Sequence, residues 1–309
     1  MKCVVLGGGG FIGSAVSDRL IEEGHSVRIF ERTGARRYRG YREDASVEWI
    51  EGDFLCRGDL NRATEGADVL LHLVSTTLPK DSNEDPAFDV QTNLIGTLRL
   101  IEVAVQNGIK KIVFISSGGT VYGRPLYCPI DEMHPTDPLV PYGITKLAIE
   151  KHLLICERLS QIKAVILRVA NPYGMRQRIE TAQGAVGIFL HRVLKGEEIE
   201  IWGDGSVVRD YIFVTDVADA FARAVEYTGS KSIFNIGSGA GTSLNELLDL
   251  IETVVARPVR RRHAPARAFD VEVSVLDNAL ARRELGWSPR IPLFDGIRRT
   301  LQWIETVED

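Results

Sequence analysis

A run of four glycines follows the first apolar segment: Cys3-Val4-Val5-Leu6 leads straight into Gly7-Gly8-Gly9-Gly10-Phe11-Ile12-Gly13. The run contains the spacing GxxGxxG. A chain with 29 glycines in 309 residues shows that spacing by chance about 0.25 times, so the spacing alone decides little. Its position decides more. The apolar run before it reads as a strand covered on both faces. After it, Phe11–Glu23 places Ile12, Ala15, Val16, Leu20 and Ile21 on one helical stripe, stopped by Gly24. Strand, glycine turn and helix together form the context in which a helix N-terminus receives a dinucleotide diphosphate. Gly7, Gly10, Phe11, Ile12 and Gly13 are the candidate contacts. The bland alternative is an ordinary tight strand–helix turn.

The alternation continues. Ser26–Phe30, Val47–Glu51, Val69–Leu73, Ile112–Ser116 and Ala164–Val169 read as buried strands, and Asn93–Asn107 as an amphipathic helix. Alternating strands and helices predict an α/β fold with a doubly wound parallel sheet of the Rossmann type. The second half is less regular. Helices are expected at Ala185–Lys195, Val214–Tyr227 and Ser243–Val255, short strands at Glu198–Trp202 and Arg209–Val214, and loops from Arg257 to Val271. The division is a nucleotide-binding domain over residues 1–170 and a smaller α/β substrate domain over 171–309, with 207–237 a candidate to return to the sheet.

Phe30-Glu31 ends the second strand, and Glu31 lies 18 residues after Gly13, near the ~20 expected for a carboxylate that binds the adenosine ribose hydroxyls. That favours NAD, because a ribose phosphate would be repelled. Arg32, Arg36 and Arg37 follow at once and leave NADP open as the alternative. Asp53, in Gly52-Asp53-Phe54 after the third strand, either faces the adenine amine or caps the next helix.

Bulk composition excludes other classes. With 37 basic and 42 acidic residues the net charge is −5, so no nucleic-acid partner is expected. The basic run Arg260-Arg261-Arg262-His263 reads as a solvated loop. Cys3, Cys56, Cys128 and Cys156 are scattered without a CxxC, as in a cytoplasmic protein with reduced thiols. No HExxH or paired histidine spacing occurs, so no metal site is expected. No apolar stretch approaches membrane-spanning length, and the apolar start, interrupted by glycines, reads as a strand and not a signal peptide.

Tyr142 and Lys146 stand four residues apart after Pro141, at the head of a good helical sequence. That spacing stacks them on one face. A neighbouring cation stabilises a phenolate, so the tyrosine is a candidate general base. A second pair, Tyr227 and Lys231, has Gly229 inside it and cannot share a helix face. Just upstream of the first pair, Ser116-Ser117-Gly118-Gly119-Thr120 sets hydroxyls at the C-terminal end of a strand, where sites on such sheets collect.

Taken together, the motifs resemble those of extended short-chain dehydrogenases/reductases, specifically the nucleotide-sugar epimerase/dehydratase family. The similar segments are GGGGFIG at 7–13, His72-Leu73, Asn93 to Thr97, SSGGTVYG at 116–123 and PYGITK at 141–146. Further on they are LRVANPYG at 167–174, Arg209-Asp210-Tyr211-Ile212 and Asn235-Ile236-Gly237. The resemblance implies Tyr142 as acid/base, with Lys146 on the nicotinamide ribose. It implies Ser117, or else Thr120, as the hydroxyl orienting the sugar oxygen. Leu73, Asn93, Ser116 and Phe54 join the cofactor contacts. Asn171, Arg176, Arg209 and Arg267 are expected on the nucleotide sugar, and the family pattern implies a homodimer. Family dehydratases carry an Asp-Glu pair in the turn occupied here by Gly118-Gly119-Thr120, which argues against 4,6-dehydration. Ser274, seven residues past Arg267, resembles a sugar-size gate, where a small residue admits an N-acetyl group. The implied activity is NAD-dependent 4-epimerisation of a UDP-hexose or UDP-N-acetylhexosamine. A 4,6-dehydratase, a 4-ketoreductase and a non-enzymatic dinucleotide sensor are the rivals.

Overall fold

The computed structural model of the chain describes residues 1–35, 47–177, 184–266 and 271–308. Seven parallel strands form its central sheet: β1 (Lys2–Leu6), β2 (Ser26–Glu31), β3 (Val47–Glu51), β4 (Val69–His72), β5 (Lys111–Ser117), β6 (Lys163–Val169) and, from the second half, β10 (Ile233–Ile236). Their order is β10-β6-β5-β4-β1-β2-β3. The doubly wound α/β sheet expected from the alternation is therefore present, and the winding reverses between β1 and β4. The carboxyl ends of these two strands open the crevice where such sheets bind ligands.

Side chains alternate across each strand. Cys3 and Val5 of β1 join a core with Val16 and Leu20 of α1 (Phe11–Glu22) and Val217 and Phe221 of α8 (Val214–Glu226). Val4 and Leu6 face the other layer. There they meet Leu60 of α2 (Arg57–Thr64), Leu100 and Val103 of α5 (Gly96–Gln106), and Ile149 and Leu153 of α6 (Pro141–Leu159). Between α2 and α5 come two short helices, α3 (Pro79–Glu84) and α4 (Pro86–Asp89), and a π turn over Val90–Ile95. The helix expected to begin at Asn93 thus starts earlier, and its first turns are widened. Gly96 lies under Phe54, where an added Cβ would come within 2.6 Å of the ring, so this stretch is shaped by packing that periodicity does not register.

The second half adds β7 (Asn171–Tyr173), β9 (Val208–Phe213), β11 (Gly241–Ser243) and β13 (Val273–Ser274), which gather around β9. β8 (Ile199–Trp202) and β12 (Arg261–Ala264) form a separate parallel pair. Helices α7 (Ala185–Leu194), α9 (Leu244–Val255) and α11 (Leu293–Glu308) contribute to a third core, while α10 (Ala279–Leu285) packs against the main one. β12 corrects the expected loop at Arg260–His263. Arg261 pairs with Asp249 at 2.6 Å, and Arg262 pairs with Glu198 and Glu200. These acidic partners come from β8 and its approach and from α9, and they convert a basic run into a strand.

The glycine turn is fixed by one close approach. Gly7 has φ +79, and a Cβ on Gly13 would stand 2.0 Å from the Gly7 carbonyl oxygen. The carbonyl is backbone, so it cannot give way cheaply. Gly13→Ala is expected to lower unfolding free energy by about 1–3 kcal/mol or more, read by urea denaturation. Wild-type stability in that variant would contradict this packing.

Candidate functional site

The α1 N-terminus projects from the turn at the switch point. Gly10 is its N-cap with no side-chain cap, and no acidic residue occupies the first turn. The first-turn N–H groups and the helix dipole are thus left to an external anion. Gly10 N–H is satisfied internally by Gly7 at 3.1 Å. Leu73 N–H donates to the Leu6 carbonyl at 3.1 Å, which places Leu73 across from Gly7 at the mouth of the crevice. Glu31 ends β2, and its Oε2 accepts from Gly9 N–H at 3.1 Å. Trp49 of β3 walls the same turn, since its Cη2 would lie 2.8 Å from a Cβ on Gly9. An uncapped helix end, a glycine cradle with no room for side chains and a terminal carboxylate together fit a dinucleotide. Arg32 is exposed beside them, and Arg36 and Arg37 lie outside the described residues.

Several expected cofactor contacts have other partners. Asp53 Oδ1 accepts from Leu55 N–H at 2.8 Å. It therefore closes the turn before α2, whose N-cap is Cys56, and the residue itself stays exposed. The Phe54 ring stacks on buried His72 with centroids 5.3 Å apart, so its side chain belongs to the core. The Asn93 side chain is fully used: Oδ1 accepts from Thr76 N–H, and Nδ2 donates to Thr77 and Asp89, each at 2.9 Å. Ser116 donates its hydroxyl to Glu150 and not to the crevice. For Asn93 and Ser116 the cause is the same, because a buried polar atom takes the partner that burial leaves it.

Glu150 is itself part of an internal network. Arg168 donates to it at 2.6 Å with both side chains fully buried, and the guanidinium lies 4.8 Å from the Tyr122 ring centroid. This pair ties α6, which carries Glu150, to β6, which carries Arg168. Glu150→Ala would leave a buried guanidinium unpaired. The expected cost is about 3–5 kcal/mol, and a wild-type denaturation midpoint would contradict the pairing.

α6 begins with Pro141 at its first position, where a missing N–H costs nothing. Its second residue is Tyr142, and Lys146 follows one turn later on the same face. The Lys146 ammonium lies 5.5 Å from the Tyr142 ring centroid and 4.9 Å from that of Phe114, and it donates to the Ile115 carbonyl at 3.2 Å. Tyr227 and Lys231, by contrast, lie beyond the end of α8 at Glu226. The electrostatics depart from expectation. Burial pushes the Tyr142 phenol up to about 12, a hydrogen bond with Ser75 opposes this, and the Asp89 charge adds to it. Burial likewise pushes the Lys146 ammonium down to about 8, while Asp89 and Glu150 oppose the fall. Buried His72 is pushed down to about 3, first by burial and then by Lys146, and stays neutral.

Thr120 and Ser117 flank this helix. The Thr120 Oγ1 is buried without a hydrogen-bond partner among the described residues, as expected of a group that waits for a ligand. Ser117 ends β5, and its carbonyl accepts from Val121 N–H at 3.1 Å. Gly118 packs against Leu276, where a Cβ would come within 2.5 Å of Cδ1, whereas Gly119 faces open space.

The substrate-side residues converge on β9. Ser274 registers with Arg209 across the β13–β9 pair, and Asn171 donates to the Asp210 carbonyl at 2.9 Å. Arg209 donates to the Val208 and Val271 carbonyls at 2.9 and 2.6 Å. Arg176, at φ +68, pairs with Asp18 of α1 at 2.8 Å, so it ties β7's exit to the cofactor side. Arg267 lies outside the described residues. Ser75, Asp89 and Thr145 were missed by motif reasoning, because no spacing signals a side chain that acts through contacts with other elements. Among the described residues no group of His, Cys, Asp or Glu could hold a metal, and no helix is long and apolar enough to cross a membrane.

The sequence profile of the NAD dependent epimerase/dehydratase family matches residues 3–237. The chain belongs to this family. It is 38% identical over 308 residues to a UDP-glucose 4-epimerase of Mycolicibacterium smegmatis, covering 98% of each chain. A UDP-glucose 4-epimerase of Thermotoga maritima, solved with UDP-glucose, superimposes with a TM-score of 0.94 at 35% identity, covering 100% of both chains. A Thermus thermophilus UDP-glucose 4-epimerase in complex with NAD gives 0.90 at 33% identity, covering 99% of each.

Proposed function

We infer that the chain is an NAD-dependent UDP-sugar 4-epimerase. The observation that carries this reading is the Tyr142–Lys146 pair on α6, which starts from the same carboxyl edge of the sheet as the uncapped α1 N-terminus. A carboxylate-free Gly118-Gly119 turn accompanies it, so the residues that would expel water from C5–C6 are missing. Nucleic acid is not a partner in this reading.

The first 170 residues hold the cofactor and residues 171–309 the sugar nucleotide, apart from β10, which belongs to the sheet. The α1 N–H groups at Phe11, Ile12 and Gly13 receive the diphosphate, and Glu31 receives the adenosine ribose hydroxyls. When bound, NAD would supply the hydride acceptor and donor for sugar C4. Tyr142 takes the proton from the 4-hydroxyl and returns it to the ketone oxygen. Lys146 holds the ribose and stabilises the phenolate. Thr120, with Ser117, orients the sugar oxygen. Asn171, Arg209 and Arg267 hold the nucleotide, and Arg176 supports them through Asp18. Because the phenol sits near 12, the proton transfer requires the hydroxyl and the cations to be placed together. Tyr142→Phe is expected to cut conversion of UDP-galactose to UDP-glucose by about 10²–10⁴-fold. Near-normal turnover would remove Tyr142 from the mechanism.

Ser274 is small and buried beside Arg209, which supports acceptance of UDP-N-acetylhexosamines as well as UDP-hexoses. Ser274→Tyr should abolish turnover of the N-acetylated sugars and spare the plain hexoses. Equal loss on both would contradict the gate. A homodimer is supported by exposed Ile144, Ile155 and Leu159 on α6 and Val105 on α5, an apolar surface suited to a second copy. A cytoplasmic location is consistent with four free cysteines.

A further inference from the structure

Asp89, the last residue of α4, is 0% exposed and makes no ion pair among the described residues. Neutral donors hold its carboxylate. Asn93 Nδ2 donates at 2.9 Å, and the hydroxyls of Thr77 and Thr145 donate as well. These three donors come from three segments: the π turn, the 74–77 loop and α6. Thr145 lies in the helical turn between Tyr142 and Lys146. The 74–77 loop carries Ser75, which reaches the Tyr142 phenol, and Asn93 braces that loop again through Thr76 N–H. Burial pushes the Asp89 carboxyl up, but the hydrogen bonds from Thr145, Thr77, Ser82 and Asn93 outweigh it and hold the group below the usual carboxylate value. The carboxylate is therefore charged at neutral pH.

We propose that Asp89 is a positioning residue for the Tyr142–Lys146 pair, fixing α6 against the 74–77 loop and supplying the unpaired negative charge that the Lys146 ammonium faces. This rests on the acid/base assignment of Tyr142 made above. Of the other groups near the pair, only Glu150 adds to that charge on Lys146, and less than Asp89 does. Glu150 of α6 is neutralised by Arg168 of β6. His72 of β4 is neutral. β5 offers the Phe114 ring and the Ile115 carbonyl. Lys80 and Glu84 of α3 pair with each other, and Glu102 of α5 pairs with Arg57 of α2, all of them solvent-exposed.

A negative charge near the pair makes both the ammonium and the phenol harder to deprotonate. Removing it must make both easier. In the Asp89→Asn holoprotein, both limbs of the kcat–pH profile for UDP-galactose are expected to move to lower pH by about one unit, with the sugar KM little changed. A profile reduced in height with its limbs unmoved, or wild-type kinetics at every pH, would overturn the proposal. Should Asp89→Asn fail to fold, Thr145→Val removes one donor and keeps the charge. It is expected to lose about tenfold in kcat at unchanged sugar KM, and a wild-type kcat there would equally overturn the proposal. Failure of the Tyr142 assignment is a separate result, seen as normal turnover in Tyr142→Phe whatever the Asp89 and Thr145 variants do.

Discussion

The approach of Gly13 to the Gly7 carbonyl, too close for any Cβ, is the constraint on which the site depends. It brings α1 hard against the end of β1 and so aims an uncapped helix N-terminus into the crevice at the sheet's switch point. β4 leaves the sheet on the other side of that crevice, and Leu73 at its end meets Gly7. β5 and α6 follow outward from β4 and deliver Thr120, Tyr142 and Lys146 to the same edge. A longer turn would move the uncapped end of α1 away from the start of α6.

Burial then sets the chemistry of that edge. Desolvation raises the phenol and lowers the ammonium, opposite to the simple picture of a lysine drawing a tyrosine toward ionisation. The internal pair of Glu150 and Arg168 and the hydroxyl-bound Asp89 determine what net charge α6 sees. Both act on Lys146, and Asp89 contributes the more, since no ion pair offsets its charge among the described residues.

Much of this was legible in the sequence. The strands before and after the glycine turn were readable because a buried parallel strand is a nearly unbroken apolar run, and α6 because Pro141 marks its start. The nucleotide turn and the Tyr142–Lys146 pair were readable because both are local spacings. What stayed hidden depends on distant partners. Ser116 turns to Glu150, 34 residues away, and Asn93 to Thr76 and Thr77, 17 and 16 residues back. The basic run at 260–263 became a strand through acidic partners on β8 and α9. The register that sets Ser274 beside Arg209 joins residues far apart in the chain. Asp89 carries no motif, and its importance lies in what three separate segments donate to it.

The central claim is that one site removes hydride from C4 of a UDP-sugar and returns it to the opposite face without net redox change. Incubation of UDP-glucose deuterated at C4 with the holoprotein, followed by proton and deuterium NMR, tests it directly. The account predicts UDP-galactose that retains deuterium at C4, with no added reductant consumed. Loss of deuterium to solvent, or a 4-keto-6-deoxy sugar as the accumulating product, would contradict it.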